Sequence, residues 1–136
     1  LVHAHQREAE LHQQAKQLVT RLAEGRIPWA ICLHSLVEFY GVVTHAKLWR
    51  QPSSPEQATD QIAAWRQSPT LRILGDDASM LSMLAELAVR GHVRGGKIHD
   101  ARIASCCLVH GVSVLLTVDR DFSRFPALNT SNPFAR

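Results

Sequence analysis

The sequence predicts an α/β fold in which a central, mainly parallel sheet is flanked by helices. Short apolar runs typical of buried strands alternate with longer segments whose apolar residues recur every three or four positions. This alternation is typical of parallel sheets, because a parallel strand needs a crossover segment, usually a helix, before the next strand. The length of 136 residues fits one domain. We therefore predict a single domain over residues 1–136.

The N-terminal half of the chain shows clear helix boundaries. Leu11, Leu18 and Leu22 share an apolar face, and Gly25 is suited to end that helix. Pro55 after two serines marks the start of another helix, since proline is favoured in a first turn. In chain order we predict a strand tail at Leu1–Ala4, a helix at Glu8–Glu24, a strand at Pro28–Leu33, helices at Ser35–His45 and Pro55–Gln67, and a strand at Leu71–Leu74.

The C-terminal half ends in the most regular strand pattern of the chain. An apolar run at Val112–Val118 predicts a strand, and Gly111 before it is suited to end the preceding helix. A turn follows at Asp119–Asp121. The remaining predictions are a helix at Ala78–Val89, a basic, glycine-bearing loop at Arg90–Lys97, a helix at Ile98–His110 and a weak strand from Leu128.

The composition of the chain bears on membrane association, on the compartment and on the charge of a partner. No apolar run approaches the roughly 18 residues that a membrane span needs, and no secretory signal is evident, so no membrane association is expected. The three cysteines, Cys32, Cys106 and Cys107, show no zinc or redox spacing and indicate a reducing cytoplasm. A net charge of +3 mildly favours an anionic partner.

Two aspartates lie where α/β proteins bind ligands. Asp119 directly follows the apolar run that ends at Val118, and ligands gather beyond the carboxyl ends of strands, although a turn-forming role is equally compatible. Asp100 lies at helical spacing from Ile103, Ala104 and Cys107, on the side expected to be buried. A buried-side acid favours function, and helix capping is the alternative.

Glu38 is a third candidate with a strong structural alternative. Ser35 and Glu38 have the spacing of a capping box, in which the glutamate reaches back to the helix start. Converging carboxylates repel one another, and a divalent cation relieves the repulsion. Mg²⁺ and Mn²⁺ prefer oxygen ligands, and beside basic residues they suit phosphodiester cleavage.

Four segments in series resemble the motifs of PIN-domain ribonucleases of the VapC toxin type. Leu115–Phe122 resembles the closing motif Leu-x-Thr-x-Asp-x-Asp-Phe, and Ile98–Ala104 resembles the helix motif that contains an aspartate. Leu36–Thr44 resembles the second acidic motif, and Leu1–His5 resembles the segment after the first motif, Asp-x-Asn-x-Leu. On this spacing the first aspartate falls about four residues before Leu1, outside this numbering.

The resemblance implies a PIN-like fold and an Mg²⁺- or Mn²⁺-dependent endoribonuclease that hydrolyses RNA with a metal-activated water. It implies that Glu38, Asp100 and Asp119 are the catalytic, metal-binding acids, that Asp121 is a further metal ligand, and that Thr117 is a hydroxyl near the site. It also implies the role of toxin, a VapB-like antitoxin as partner, and a homodimer.

Two alternatives remain open at this level. A phosphorylation receiver domain is also α/β with an acid pocket, and Asp76 follows a predicted strand, but no lysine occurs after Lys97 to complete that site. A degenerate PIN domain would bind RNA or a protein partner without cutting, if the first aspartate is truly missing.

Overall fold

A computed structural model describes every residue from Leu1 to Arg136 and shows two compact units, Leu1–Ile73 and Leu74–Arg136. Both units combine helices with short strands, and this mixture confirms the predicted α/β class. None of the helices has the length and apolar character to cross a membrane. The single domain over residues 1–136 stays a prediction.

The first unit consists mainly of helices around a short strand pair. Strands β1 and β2 are hydrogen-bonded neighbours. The helix α4 starts at Pro55 as predicted, and a capping box closes its first turn: the Ser54 hydroxyl accepts from the Gln57 backbone, and the Gln57 side chain accepts from the Ser54 backbone. The elements are α1 (Val2–His5), α2 (His12–Glu24), β1 (Trp29–Cys32), α3 (Leu33–Val43), α4 (Pro55–Arg66) and β2 (Leu71–Leu74).

An aromatic cluster forms the core of this unit. Phe39 is 1% exposed, and its ring meets that of Trp65 edge-on at 4.9 Å between centroids. On its other side, Phe39 meets the His5 ring at 5.3 Å. The helix α3, which carries Glu38, is therefore held firmly within its unit.

Two predictions for the N-terminal segment are wrong. Residues 1–4 are not a strand tail, because the backbone N–H groups of His5 and Gln6 donate to carbonyls four residues earlier and close a short helix. The next helix begins at His12, not Glu8. The Glu8 carboxylate instead accepts from the backbone N–H groups of Arg50 and Gln51, at 3.1 and 3.0 Å.

The second unit consists of two helices, three short 3₁₀ turns and a pair of strands. Strands β3 and β4 are parallel, as predicted for this sheet. Gly111 adopts a positive φ of 71° at the end of α6, a conformation that glycine adopts without strain. The elements are α5 (Leu81–Arg90), α6 (Ile98–Val109), β3 (Leu115–Leu116) and β4 (Thr130–Ser131), with 3₁₀ turns at Ala78–Met80, Gly95–Lys97 and Arg120–Arg124.

The strand predicted at Val112–Val118 is much shorter than its apolar pattern suggested. Only Leu115 and Leu116 are regular strand, because the partner β4 contains only two residues. Backbone bonds from Leu115 to Asn129 (2.8 Å) and from Thr117 to Ser131 (3.0 Å) nevertheless fix the chain direction as it leaves β3. This pairing sets the position of the acidic turn that follows.

Candidate metal centre

Three aspartates of the second unit bring their carboxylates together. One carboxylate oxygen from each of Asp100, Asp119 and Asp121 can be chosen so that all three lie within 4.8 Å of one another. Asp100 and Asp121 are half-buried, whereas Asp119 is exposed. Two segments that are distant in sequence thus supply one group of hard oxygen donors, the ligand type that divalent cations such as Mg²⁺ prefer.

Asp100 is presented by the first turn of a largely buried helix. It is the third residue of α6, whose Ile103, Ala104 and Cys107 are all buried, as the spacing predicted. Lys97, not Asp100, occupies the N-cap position of this helix. The alternative that Asp100 is present as the N-cap is therefore not supported.

Asp119 and Asp121 are held by a local turn. The Asp119 side chain accepts a hydrogen bond from the Asp121 backbone N–H at 2.8 Å, and it caps the 3₁₀ turn Arg120–Arg124. The Thr117 hydroxyl accepts from the Asp119 backbone N–H at 3.0 Å. Asp119 thus has the turn-forming role that the sequence left open, but that role occupies only its Oδ1 atom. Its second oxygen is not part of the turn.

Lys97 adds a cation to this acidic group. Its Nζ donates to Oδ2 of Asp121, and both side chains remain nearly half exposed. This hydrogen bond, aided by the attraction of opposite charges, raises the pKa of Lys97 and lowers the pKa of the Asp121 carboxyl. The charges of Asp100 and Asp119 also favour protonated Lys97.

The spacing of the three oxygens suits a small divalent cation. Mg–O bonds are about 2.1 Å, so two ligands on opposite sides of Mg²⁺ stand about 4.2 Å apart. The three oxygens of the aspartate group lie within 4.8 Å of one another, so a small rotation of a carboxylate is enough to bring them within reach of one ion. The donor set therefore fits the metal that the sequence suggested.

Glu38 lies in the first unit, on α3. The capping box proposed as its structural alternative is absent, because Cys32 is the N-cap of α3 and Ser35 lies inside the helix. Instead, Glu38 Oε1 lies 3.2 Å from Nε2 of the buried His34, one turn earlier. The Glu38 side chain remains 46% exposed. Its assignment as a metal ligand stays a prediction.

From the sequence alone, Lys97 is only one of several cations in the predicted basic loop Arg90–Lys97. The available signal was its position three residues before Asp100, because a lysine at a helix start is close to the first-turn acids. Asp76, the phosphoacceptor of the receiver alternative, forms an ion pair with Arg102. In the structure Lys97 contacts the aspartate group through Asp121, whereas Asp76 is paired with Arg102.

Comparison with known proteins is consistent over nearly the whole chain. The profile of the PIN domain family matches residues 1–128. The chain is 30% identical to Ribonuclease VapC48 of Mycobacterium tuberculosis, with 99% of this chain and 93% of that protein covered. It is 29% identical to VapC ribonuclease Mb2897 of Mycobacterium bovis and to Ribonuclease VapC43 of M. tuberculosis, with 98% of this chain and 90% of each relative covered.

These matches bear on the choice between the fold families. The profile covers all three clustered aspartates and Glu38, and it leaves no basis for a receiver domain. The similarity to ribonucleases named VapC extends over nearly the full length of each relative. The chain therefore belongs to the PIN domain family, and within it to the VapC type.

Proposed function

We propose that this protein is a metal-dependent endoribonuclease that acts as the toxin of a toxin–antitoxin pair. The observation that carries the proposal is the group formed by Asp100, Asp119 and Asp121 in a chain of VapC type. Relatives over nearly the whole chain are named as ribonucleases. The reaction is the hydrolysis of an RNA phosphodiester, in which water adds to phosphorus and the bond to the leaving oxygen breaks.

The chain's own residues have distinct tasks in this proposal. Asp100, Asp119 and Asp121 hold Mg²⁺ or Mn²⁺, and Glu38 contributes a further carboxylate on the strength of its motif. The bound metal supplies a polarised phosphate and an activated water. The hydrogen bond from the Asp121 backbone fixes the rotation of the Asp119 carboxylate, so this ligand is oriented before the metal arrives.

Metal removal is the direct test. We expect EDTA-treated protein to leave RNA intact, and Mg²⁺ or Mn²⁺ to restore cleavage, because without the cation nothing in the aspartate group neutralises the phosphate charge or lowers the pKa of the attacking water. The measurement is mapping of cut ends on total RNA, with and without Mn²⁺. Cleavage at the same sites in excess EDTA would contradict the metal mechanism. RNA binding without cleavage at any metal concentration would favour the non-catalytic alternative.

The proposal also names partners and a compartment. RNA is the substrate, and a VapB-like antitoxin is the inhibitor that the VapC type implies. Both partners are cytoplasmic molecules, so the proposal places the protein in the cytoplasm.

A homodimer is part of the same proposal, and the helix α3 offers a candidate surface. Leu33 and Val37 lie one turn apart on α3 and are 49% and 61% exposed. Exposed apolar side chains on one helix face are typical of protein interfaces. We expect light scattering to give twice the chain mass of 15.2 kDa, and Val37→Asp to shift the protein toward monomer.

Ile27→Asp is the matched control for this test, because Ile27 is 77% exposed in the same unit but lies outside α3. It should leave the dimer intact. A wild-type monomer at high concentration would contradict the dimer. An unchanged dimer in Val37→Asp would exclude the α3 surface.

A further inference from the structure

Lys97 occupies a position within the aspartate group that an ordinary surface lysine does not have. It is the last residue of the turn Gly95–Lys97 and the N-cap of α6, so its backbone is fixed next to Asp100. Its ammonium donates to Asp121 Oδ2, and it also interacts with the charges of Asp100 and Asp119. One cation of this chain therefore already partly neutralises the three carboxylates.

An ammonium group and a divalent cation both bind to the lone pairs of a carboxylate. The lysine donates a hydrogen bond to Oδ2 of Asp121, and a metal bound to the same carboxylate would repel the ammonium at such short range. Lysine is a flexible side chain with a compact charge, so it can leave the carboxylate without a change of backbone. The two cations therefore compete for the Asp121 carboxylate.

We propose that Lys97 is a built-in counterion that competes with the divalent metal for Asp121. This inference deepens the proposed function and rests on it. The lysine stabilises the metal-free acid group and weakens metal binding, and it is displaced from Asp121 when the metal is bound. It is a positioning residue, since it sets the availability of a ligand and is not itself a ligand.

The test measures Mn²⁺ affinity without RNA, by titration calorimetry or by the spin resonance signal of unbound Mn²⁺. We expect Lys97→Met to tighten Mn²⁺ binding by roughly two- to fivefold, the range that follows from loss of one exposed ion-pair partner. Lys97→Arg keeps the charge and the hydrogen bond and should stay within about twofold of wild type. Lys97→Gln is the second neutral variant, and thermal unfolding in EDTA checks that each protein is folded.

Lys47→Met is the matched control, because it makes the same charge change at an exposed lysine of the first unit. It should leave Mn²⁺ affinity within about twofold of wild type, as expected for an exposed charge that is screened by salt. Net charge alone therefore cannot account for an effect that is seen only at Lys97.

A double-mutant cycle separates competition at Asp121 from general electrostatic attraction. In an Asp121→Asn background, which removes the shared carboxylate, Lys97→Met should change Mn²⁺ affinity by less than about twofold. The proposal is overturned if Lys97→Met binds Mn²⁺ no more tightly than Lys47→Met. It is also overturned if the gain in affinity is the same with and without the Asp121 carboxylate.

The outcomes also distinguish this proposal from the one on which it rests. If wild type binds Mn²⁺ and cuts RNA while Lys97→Met has unchanged affinity, only the role of Lys97 fails. If neither wild type nor any Lys97 variant binds Mn²⁺, both proposals fail. If Lys97→Met binds Mn²⁺ and wild type does not, Lys97 prevents metal binding completely, and this result would support the proposal.

Discussion

RNA cleavage by the Asp100→Asn protein is expected to fall by about a hundredfold or more, while the fold survives. A neutral amide is a much poorer ligand for a hard cation than a carboxylate. Loss of roughly 3 kcal/mol of transition-state stabilisation corresponds to two powers of ten in rate. The measurement is cleavage of RNA in Mg²⁺ or Mn²⁺, with thermal unfolding recorded on the same samples.

The position of Asp100 in α6 separates the functional role from the structural one. Lys97 is the N-cap, so the structural contribution of Asp100 is that of an acid in a first turn, about 0.3–1 kcal/mol of helix stability. Asparagine should therefore cause only a small drop in unfolding temperature. Asp60→Asn is the matched control, because Asp60 is an exposed aspartate on α4. It should cut as wild type does.

Three results would contradict the role of Asp100 as a metal ligand or show that the loss of RNA cleavage is indirect. Undiminished cleavage by Asp100→Asn would remove Asp100 from the mechanism. Parallel losses of stability and activity would point to unfolding and not to lost metal binding. An equal loss in Asp60→Asn would show that the assay responds to net charge.

The sequence predicted the start of α4 and the end of α6 because local chemistry sets these limits. Ser54 and Pro55 fix the start of α4, and Gly111 ends α6, through interactions within a few residues. The strand over 112–118 was overestimated because apolar alternation reports burial and strand preference, whereas strand length depends on a partner. That partner, β4, is only two residues long, and nothing near Val112 in the sequence reveals this.

The three clustered aspartates were all among the residues singled out from the sequence. Asp119 is recognisable because it directly follows a predicted strand, Asp100 because it lies on the buried side of its predicted helix, and Asp121 through the family motif. The ion pair between Lys97 and Asp121 could not be predicted, because it joins residues 24 positions apart through flexible side chains. Spacing rules describe neighbours on one helix or strand, and they carry no information about such a contact.

Glu38 is the site residue that a substitution must test, since its assignment depends on a motif. We expect Glu38→Gln to reduce RNA cleavage by about tenfold or more, because glutamine keeps the size of the side chain but removes a carboxylate ligand. Mn²⁺ affinity measured without RNA should weaken in parallel. Thermal unfolding should change little, since glutamine has nearly the shape of glutamate and can keep the contact with Nε2 of His34, which lies 3.2 Å from Glu38 Oε1.

The comparison that decides the role of Glu38 uses two further variants. Glu10→Gln is the matched control, because Glu10 is an exposed glutamate of the same unit, and it should retain wild-type cleavage. His34→Gln removes the imidazole but keeps the Glu38 carboxylate, so it should retain more Mn²⁺ affinity than Glu38→Gln. Wild-type cleavage and Mn²⁺ affinity in Glu38→Gln would leave this glutamate as a surface partner of His34. Equal losses in both variants would mean that Glu38 acts through the His34 contact and not as a ligand.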